Sequence, residues 1–141
     1  MKSTLAIIFC IISVCVVWSL FFPPGLVNQG HFKTHIRIKE IELLYQNYFD
    51  KNGVYPVKYN PLKLAQDYDK EFDTSYISGN NFLDEWNKPF VIVASKEYEK
   101  NQNAIKNHTG IYFKKDSFQI RSFGKNGVDD KSKRDDICNF K

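Results

Sequence analysis

The sequence predicts an α+β protein with a transmembrane helix at its N-terminus, followed by an amphipathic helix that packs on a small antiparallel three-stranded sheet. Three features predict this class: a long apolar run near the start, a helical repeat of apolar side chains in the middle, and short apolar and aromatic segments near the end. The 141 residues suit a single domain, and an aromatic content of 16% is ample for its core. The net charge of +4 is mild and the charges of both signs are interspersed, so no nucleic-acid partner is expected.

The apolar run covers residues 5–22, LAIIFCIISVCVVWSLFF, and contains no charged side chain. As a helix it would be about 27 Å long, close to the thickness of the hydrocarbon core of a bilayer. A cleaved signal peptide is the alternative, but the run is long for one and no small-x-small motif follows Phe22. We therefore expect a retained membrane anchor, which a Pro-Pro-Gly sequence then ends. The chain is thereby divided into an anchor and break over residues 1–30 and a folded domain over residues 31–141.

A helical repeat predicts one long helix in the body of the protein, from about His35 to Lys51. Apolar and aromatic side chains recur there at three- and four-residue steps. The repeat consists of Ile38, Ile41, Leu44, Tyr45 and Tyr48. Asn52-Gly53 follows and predicts the end of the helix, because glycine adopts the left-handed cap conformation without strain.

A second, shorter helix is predicted from Pro61 to Tyr68. Proline suits the first turn of a helix, because its missing N–H group would have no partner there. We expect Leu62 and Ala65, together with the final tyrosine, to face inward. The polar residues that follow, 69–81, are predicted to form a loop.

Three short segments predict the sheet. Phe90–Ala94 reads FVIVA and is predicted to be one strand. Gly110–Lys114 and Phe118–Phe123 flank a Lys-Asp-Ser turn, so we predict that they form a hairpin beside that strand. The polar residues between the first strand and the hairpin, 95–109, are predicted to form an exposed loop.

No motif for catalysis is present, so we expect that the protein is not an enzyme and has no small-molecule substrate. The three histidines have no evident partner spacing, and the sequence lacks a nucleophile elbow, a phosphate loop and a zinc motif. Cys138 is the only cysteine outside the apolar run, which excludes an internal disulfide in the body and a metal site of cysteines. Trp86 is expected to pack in the turn before the first strand rather than to bind a ligand.

Four motifs in order resemble the major pseudopilins of bacterial type II secretion systems, which are relatives of type IV pilins. The motifs are YxxYFDKNGVYP at residues 45–56, LDEWNKPF at 83–90, IRSFGKNG at 120–127 and DDI at 135–137. The resemblance implies a pilin-like fold and a structural role in a secretion or pilus-like machine. The partners it implies are the inner membrane and other pseudopilins or secretion-system components.

The resemblance further implies that the acidic loop at the end of the chain binds Ca²⁺. Calcium takes six to eight oxygen ligands from carboxylates and carbonyl groups, and the loop is rich in both. The ligands implied by position are the Phe123 carbonyl, the Asn126 side chain, the Val128 carbonyl, Asp135 and Asp136, with Asp129 and Asp130 as substitutes. Asn126 stands where the family has Asp, which predicts a weaker site. The alternative is a solvated acidic turn that neighbouring Lys and Arg side chains neutralise.

The expected location is the inner membrane, with a single span, the N-terminus in the cytoplasm and the body in the periplasm. Counting Lys and Arg on each side of the apolar run leaves the orientation nearly undecided. The scarcity of calcium in the cytosol, together with the resemblance, favours a periplasmic body. The leader and cleavage site of pseudopilins have no match in residues 1–22, so two functions are expected: a pseudopilin-like component, or a membrane-tethered calcium-binding module that does not polymerise.

Overall fold

The computed structural model of the protein describes residues 29–131 and 135–140. The predicted membrane anchor over residues 5–22 lies outside them. Within the described residues, no helix combines the length and the apolar character that crossing a bilayer requires. The described body contains helices and small antiparallel sheets, which confirms the α+β class predicted for it.

The first helix, α1 (Gln29–Asn52), buries the predicted apolar stripe. Its most buried apolar and aromatic side chains are those of Ile38, Ile41, Leu44 and Tyr45, which are at most 8% exposed. Gly53 ends the helix as predicted: its φ angle is +69°, and its N–H group donates a 2.7 Å hydrogen bond to the carbonyl oxygen of Phe49.

Helix α1 is already helical at Gln29, the first described residue and earlier than the predicted start, because tertiary contacts stabilise these turns. Gly30 lies against the indole ring of Trp86, so close that a Cβ atom there would be 2.7 Å from Cζ2. Thr34 is fully buried, and its hydroxyl oxygen accepts a 3.3 Å hydrogen bond from the backbone N–H of Glu85. Trp86 therefore packs against the core, as expected from the sequence.

The second helix, α2 (Pro61–Tyr68), has the predicted bounds. The side chain of Asn60 caps it by accepting a 3.0 Å hydrogen bond from the N–H group of Lys63. The prediction for Leu62 is wrong, because its side chain is 43% exposed, whereas Leu64 and Ala65 are buried. Positions 61, 64 and 65 are buried and Tyr68 is partly buried on the same face, which leaves Leu62 on the solvent side.

The predicted loop over residues 69–81 is partly wrong, because it contains regular structure. A 3₁₀ turn (Thr74–Tyr76) leads into β1 (Ile77–Ser78), which pairs antiparallel with β2 (Asn81–Phe82). Tyr76 and Phe82 are each 3% exposed and fix this ribbon to the core. Strands of two residues are too short to show a period in the sequence.

The three-stranded antiparallel sheet has the order β3 (Val91–Ala94), β4 (Phe118–Ser122), β5 (Ile137–Cys138). The first predicted strand and the second strand of the predicted hairpin correspond to β3 and β4. The prediction that Gly110–Lys114 forms the other strand of the hairpin is wrong. The two neighbours of β4 in the sheet are β3 on one side and β5 on the other. The sheet is therefore completed from the end of the chain.

The side chain of Gln119 explains why the segment before β4 is not a strand. Gln119 is only 3% exposed, and its amide group bonds the backbone N–H and carbonyl of Ile105 and the carbonyl of Phe113, at 2.8–2.9 Å. One buried amide thus satisfies backbone groups that a sheet ladder would otherwise pair.

Tyr98 is also buried in the segment predicted to be an exposed loop, within a 3₁₀ turn (Ser95–Lys100).

Helix α1 packs on the sheet at β4 and β5. The rings of Tyr45 and Phe118 lie 4.9 Å apart between their centroids. Beyond β5, the Asn139 amide donates to the Glu42 carboxylate of α1 at 3.0 Å. The end of the described chain is thus joined to both the sheet and the helix.

Candidate metal centre

The acidic loop near the end of the chain follows β4 and precedes β5, two adjacent antiparallel strands. Its described residues, 123–131 and 135–136, are here called the terminal loop. Ser122 pairs with Ile137 at its base, so the strands hold its two ends side by side. Asn139 extends this pairing, since its side-chain oxygen accepts a 2.9 Å hydrogen bond from the N–H group of Ile120. The loop is therefore closed at its base by backbone pairing.

Gly124 allows the two ends of the terminal loop to touch. Its φ angle is +62°, in the left-handed region that favours glycine. A Cβ atom at this position would collide with the backbone carbonyl of Asp135 and lie 2.7 Å from its carboxylate. A glycine here lets the second half of the loop fold over the first.

The terminal loop brings three carboxylates together. Asp130, Asp135 and Asp136 each offer one oxygen atom, and these atoms lie within 4.8 Å of one another. Asp136 is 2% exposed, so solvent does little to screen its charge from the others. Negative charges this close favour a bound cation, and the group could hold a metal ion. Asp135 and Asp136 are predicted ligands, and Asp130 is a predicted substitute.

The Asn126 side chain lies between two carboxylates of the triad. Its amide nitrogen donates to Asp135 at 2.8 Å and to Asp130 at 3.3 Å, and its oxygen accepts from the N–H group of Val128 at 2.7 Å. The backbone N–H of Asn126 donates to Asp135 at 3.0 Å and holds the pKa of that carboxyl below its usual range. The neutral amide thus partly offsets the repulsion between the carboxylates.

The two predicted carbonyl ligands lie at different places in the loop. Phe123 follows β4 directly, and its carbonyl oxygen accepts a 3.2 Å hydrogen bond from the N–H group of Gly127. Val128 lies beyond that turn and is 57% exposed. Both residues belong to the same loop as the triad.

Asp129, the other predicted substitute, is paired with cations of the protein. Its carboxylate lies 3.0 Å from Arg121, which is 2% exposed, and 2.9 Å from the Lys131 ammonium. Partial burial acts to raise the pKa of Asp129. The hydrogen bonds from Lys131 and the charge of Arg121 outweigh it, so the pKa is lowered. Asp129 therefore ties the loop to the sheet.

The turn before β3 supports the base of the terminal loop. Asp84 is fully buried, and its carboxylate accepts from the N–H groups of Trp86 and Lys88 at 2.9 Å and from the Ser122 hydroxyl at 2.6 Å. The Ser122 oxygen in turn accepts a 3.0 Å hydrogen bond from the N–H group of Gly124. The turn and the first residues of the loop are therefore one hydrogen-bonded unit.

Lys88 extends from the same turn into the terminal loop. Its ammonium group donates to the carbonyl oxygens of Lys125 at 2.7 Å and of Gly124 at 3.3 Å. The sequence alone does not identify Asp84 or Lys88 as part of the site. The LDEWNKPF motif is the available signal, but nothing local to it indicates a contact with residues more than thirty positions away.

Comparison of the chain with protein-family models, with curated proteins and with solved structures finds no match.

Proposed function

We propose that the protein is a membrane-anchored, pseudopilin-like structural component of a type II secretion or type IV pilus-like system, and that Ca²⁺ stabilises its terminal loop. The observation that carries the proposal is the acidic triad in the loop between the last two strands. The four motifs of the resemblance support it, because they occur in order along the body. Residues 5–22 would be the inner-membrane anchor, with the N-terminus in the cytoplasm and the body in the periplasm.

The donor set of the loop suits calcium chemically. Asp130, Asp135 and Asp136 supply carboxylate oxygens, the hard ligands that Ca²⁺ prefers. The carbonyl groups of Phe123 and Val128 are further oxygen donors in the same loop. The amide of Asn126 could contribute its oxygen once an ion takes over the role of its NH₂ group between the carboxylates. An ion there would neutralise the triad and hold the two halves of the loop together.

Thermal melting of the full chain in a non-ionic detergent tests the calcium site. We expect a higher melting temperature in millimolar Ca²⁺ than in chelator, because an ion that binds only the folded state stabilises it by mass action. Mg²⁺ at the same concentration is the ion control, since it requires a tighter octahedral geometry. Equal melting temperatures in calcium and chelator would contradict the calcium site.

A pair of variants locates the effect. Asp136→Ala should abolish the calcium-dependent increase in melting temperature, because it removes one of three clustered carboxylates. Asp116→Ala removes an exposed carboxylate from the turn before β4 and should leave the increase unchanged. A similar loss in both variants would indicate general screening of charge rather than a site.

Reporter fusions after the last residue test the location. A phosphatase that is active only after export should be active, and a reporter that is fluorescent only in the cytoplasm should be dark. The opposite pattern would contradict a periplasmic body.

Assembly separates the pseudopilin-like component from a tethered module. Leu43 is 56% exposed on α1, so a Leu43→Cys variant offers a site for cross-linking between copies. Cross-linked oligomers in cells that contain the secretion machine, and fewer in cells without it, are expected of a subunit. Monomers in both would favour a calcium-binding module that does not polymerise.

A further inference from the structure

The ammonium group of Lys88 reaches the terminal loop and contacts two of its backbone carbonyl oxygens. It is half-buried, and it donates to the carbonyl oxygens of Lys125 and Gly124 at 2.7 and 3.3 Å. Gly127 lies against it so closely that a Cβ atom there would be 2.5 Å from the nitrogen. The turn at the start of the loop therefore packs directly against a cation that the protein itself supplies.

This contact fixes the orientation of the peptide group that joins Lys125 to Asn126. The Gly127 N–H group donates to the Phe123 carbonyl and closes a turn over the residues between them. The Gly124 and Lys125 carbonyl oxygens of that turn point to Lys88. The backbone N–H of Asn126, in the same turn, donates instead to Asp135 of the triad. Fixing the two carbonyl groups thus fixes the orientation of the peptide that faces the triad.

The Lys88 backbone is itself held in place. Its N–H group donates to the buried Asp84 carboxylate at 2.9 Å, and that carboxylate also bonds Ser122 at the base of the loop. The lysine therefore projects from an anchored turn. A charged donor held at both ends can impose a geometry on the carbonyl groups that it contacts.

We propose that Lys88 is a positioning residue for the metal centre: its ammonium group preorganises the terminal loop, so that the backbone peptide of Asn126 and the Asp135 carboxylate it contacts are oriented before a cation binds. The inference rests on the proposed calcium site and adds a residue that lies outside the acidic loop. It does not require Lys88 to touch the ion.

Removing Lys88 should change the calcium affinity in the direction opposite to the one that its charge alone would give. If Lys88 were only a positive charge near the triad, its removal would reduce repulsion and increase the affinity for Ca²⁺. If it positions the loop, its removal should lower the affinity, by about tenfold, as the loss of residues that orient metal ligands generally does. The two effects can therefore be separated by the direction of the change.

Calcium titration of the purified full chain in non-ionic detergent, followed by calorimetry, measures this direction. We expect Lys88→Met to weaken calcium binding. Lys125→Met is the matched control, because it removes an exposed lysine charge from the same loop but keeps the backbone carbonyl that Lys88 contacts. The control should bind calcium as tightly as the unmodified protein or more tightly. Lys88→Arg retains a cationic donor and should restore part of the affinity.

A second variant tests the same contact without removing the charge. Gly127→Ala would place a methyl group against the Lys88 ammonium and displace it, so calcium binding should weaken as in Lys88→Met. This variant keeps the proposal testable if Lys88→Met does not fold. The proposal is overturned if Lys88→Met binds calcium as tightly as the unmodified protein or more tightly. If Lys88→Met does not fold, the same result in Gly127→Ala overturns it.

Amide hydrogen exchange in chelator separates failure of this inference from failure of the proposed function. Without metal, Lys88→Met should increase exchange at residues 124–128 more than Lys125→Met does, because the turn loses the group that fixes its carbonyls. If the unmodified protein does not bind calcium, the proposed calcium site is wrong, and this comparison still tests whether Lys88 organises the loop. Equal exchange in the two variants would then overturn the role of Lys88.

Discussion

The Ser122 hydroxyl group donates a 2.6 Å hydrogen bond to the fully buried carboxylate of Asp84, thirty-eight positions earlier in the chain. This bond joins the turn before β3 to the end of β4, where the terminal loop begins. A buried carboxylate is costly unless donors surround it, and here two backbone N–H groups and a hydroxyl do so. The bond between Asp84 and Ser122 therefore attaches the base of the terminal loop to the turn before β3.

Replacing Asp84 by alanine should destabilise the protein strongly. The variant leaves two backbone N–H groups and the Ser122 hydroxyl without their acceptor, so we expect a loss of about 3 kcal/mol in the free energy of unfolding. Urea denaturation of the full chain in detergent measures this loss. Asp116→Ala, at an exposed position, should change stability by less than about 0.5 kcal/mol. Similar losses in the two variants would show that the buried hydrogen bonds contribute little.

Replacing Gly124 by alanine should cost more than the same change at another glycine of similar backbone conformation. The φ angles are +62° at Gly124 and +81° at Gly110, so both substitutions carry the strain of the left-handed region, about 1–2 kcal/mol. A methyl group at Gly110 meets open space, whereas at Gly124 it collides with Asp135. Denaturation should therefore show a larger loss for Gly124→Ala. Equal losses would mean that Asp135 moves aside freely.

The helices could be predicted from the sequence because their signals are local. The stripe from Ile38 to Tyr48 repeats at helical spacing, and Gly53 marks the end of α1 within a few residues. The acidic character of the terminal loop is also local, but it is the resemblance to pseudopilins that implies Asp135 and Asp136 as ligands.

The sheet order and the base of the site could not be predicted, because they depend on contacts between distant residues. Strand β5 contains two residues, and only its pairing with β4 makes it a strand. Asp84 looks like an ordinary turn residue until the fold places Ser122 beside it. Asp129 and Asp130 are neighbours of the same type, but only the position of Arg121 determines that Asp129 pairs with the sheet and Asp130 joins the triad.

The ion pair between Arg121 and Asp129 should make stability depend on pH in the acid range. Because the pKa of Asp129 is lower in the folded protein than in the unfolded chain, its contribution is present above about pH 4 and is lost as the pH falls through the folded value. Asp129→Asn should cost about 2 kcal/mol at neutral pH, because it leaves a buried guanidinium without a carboxylate.

Denaturation from pH 7 to pH 3 measures the difference between Asp129→Asn and the unmodified protein. We expect this difference to be constant above about pH 5 and to shrink below about pH 4, where the unfolded chain binds a proton at Asp129 before the folded protein does. Asp116→Asn is the control at an exposed site. A difference that does not change with pH would contradict the assignment to this ion pair.

Replacing Asn126 by aspartate should have opposite effects with and without calcium. In chelator, the variant loses the two hydrogen bonds that the amide nitrogen donates to Asp130 and Asp135 and places a fourth carboxylate beside them, so the melting temperature should fall. The unmodified site is expected to bind calcium with a dissociation constant of about 10⁻⁴ to 10⁻³ M. In millimolar calcium, the added charge should strengthen ion binding about tenfold, equivalent to about 1.4 kcal/mol. Asn52→Asp, at the other Asn-Gly pair of the chain, is the matched control: it lies at the end of α1 and should change the melting temperature equally in the two conditions. If calcium raises the melting temperature of Asn126→Asp no more than that of the unmodified protein, the side chain at position 126 does not face the ion.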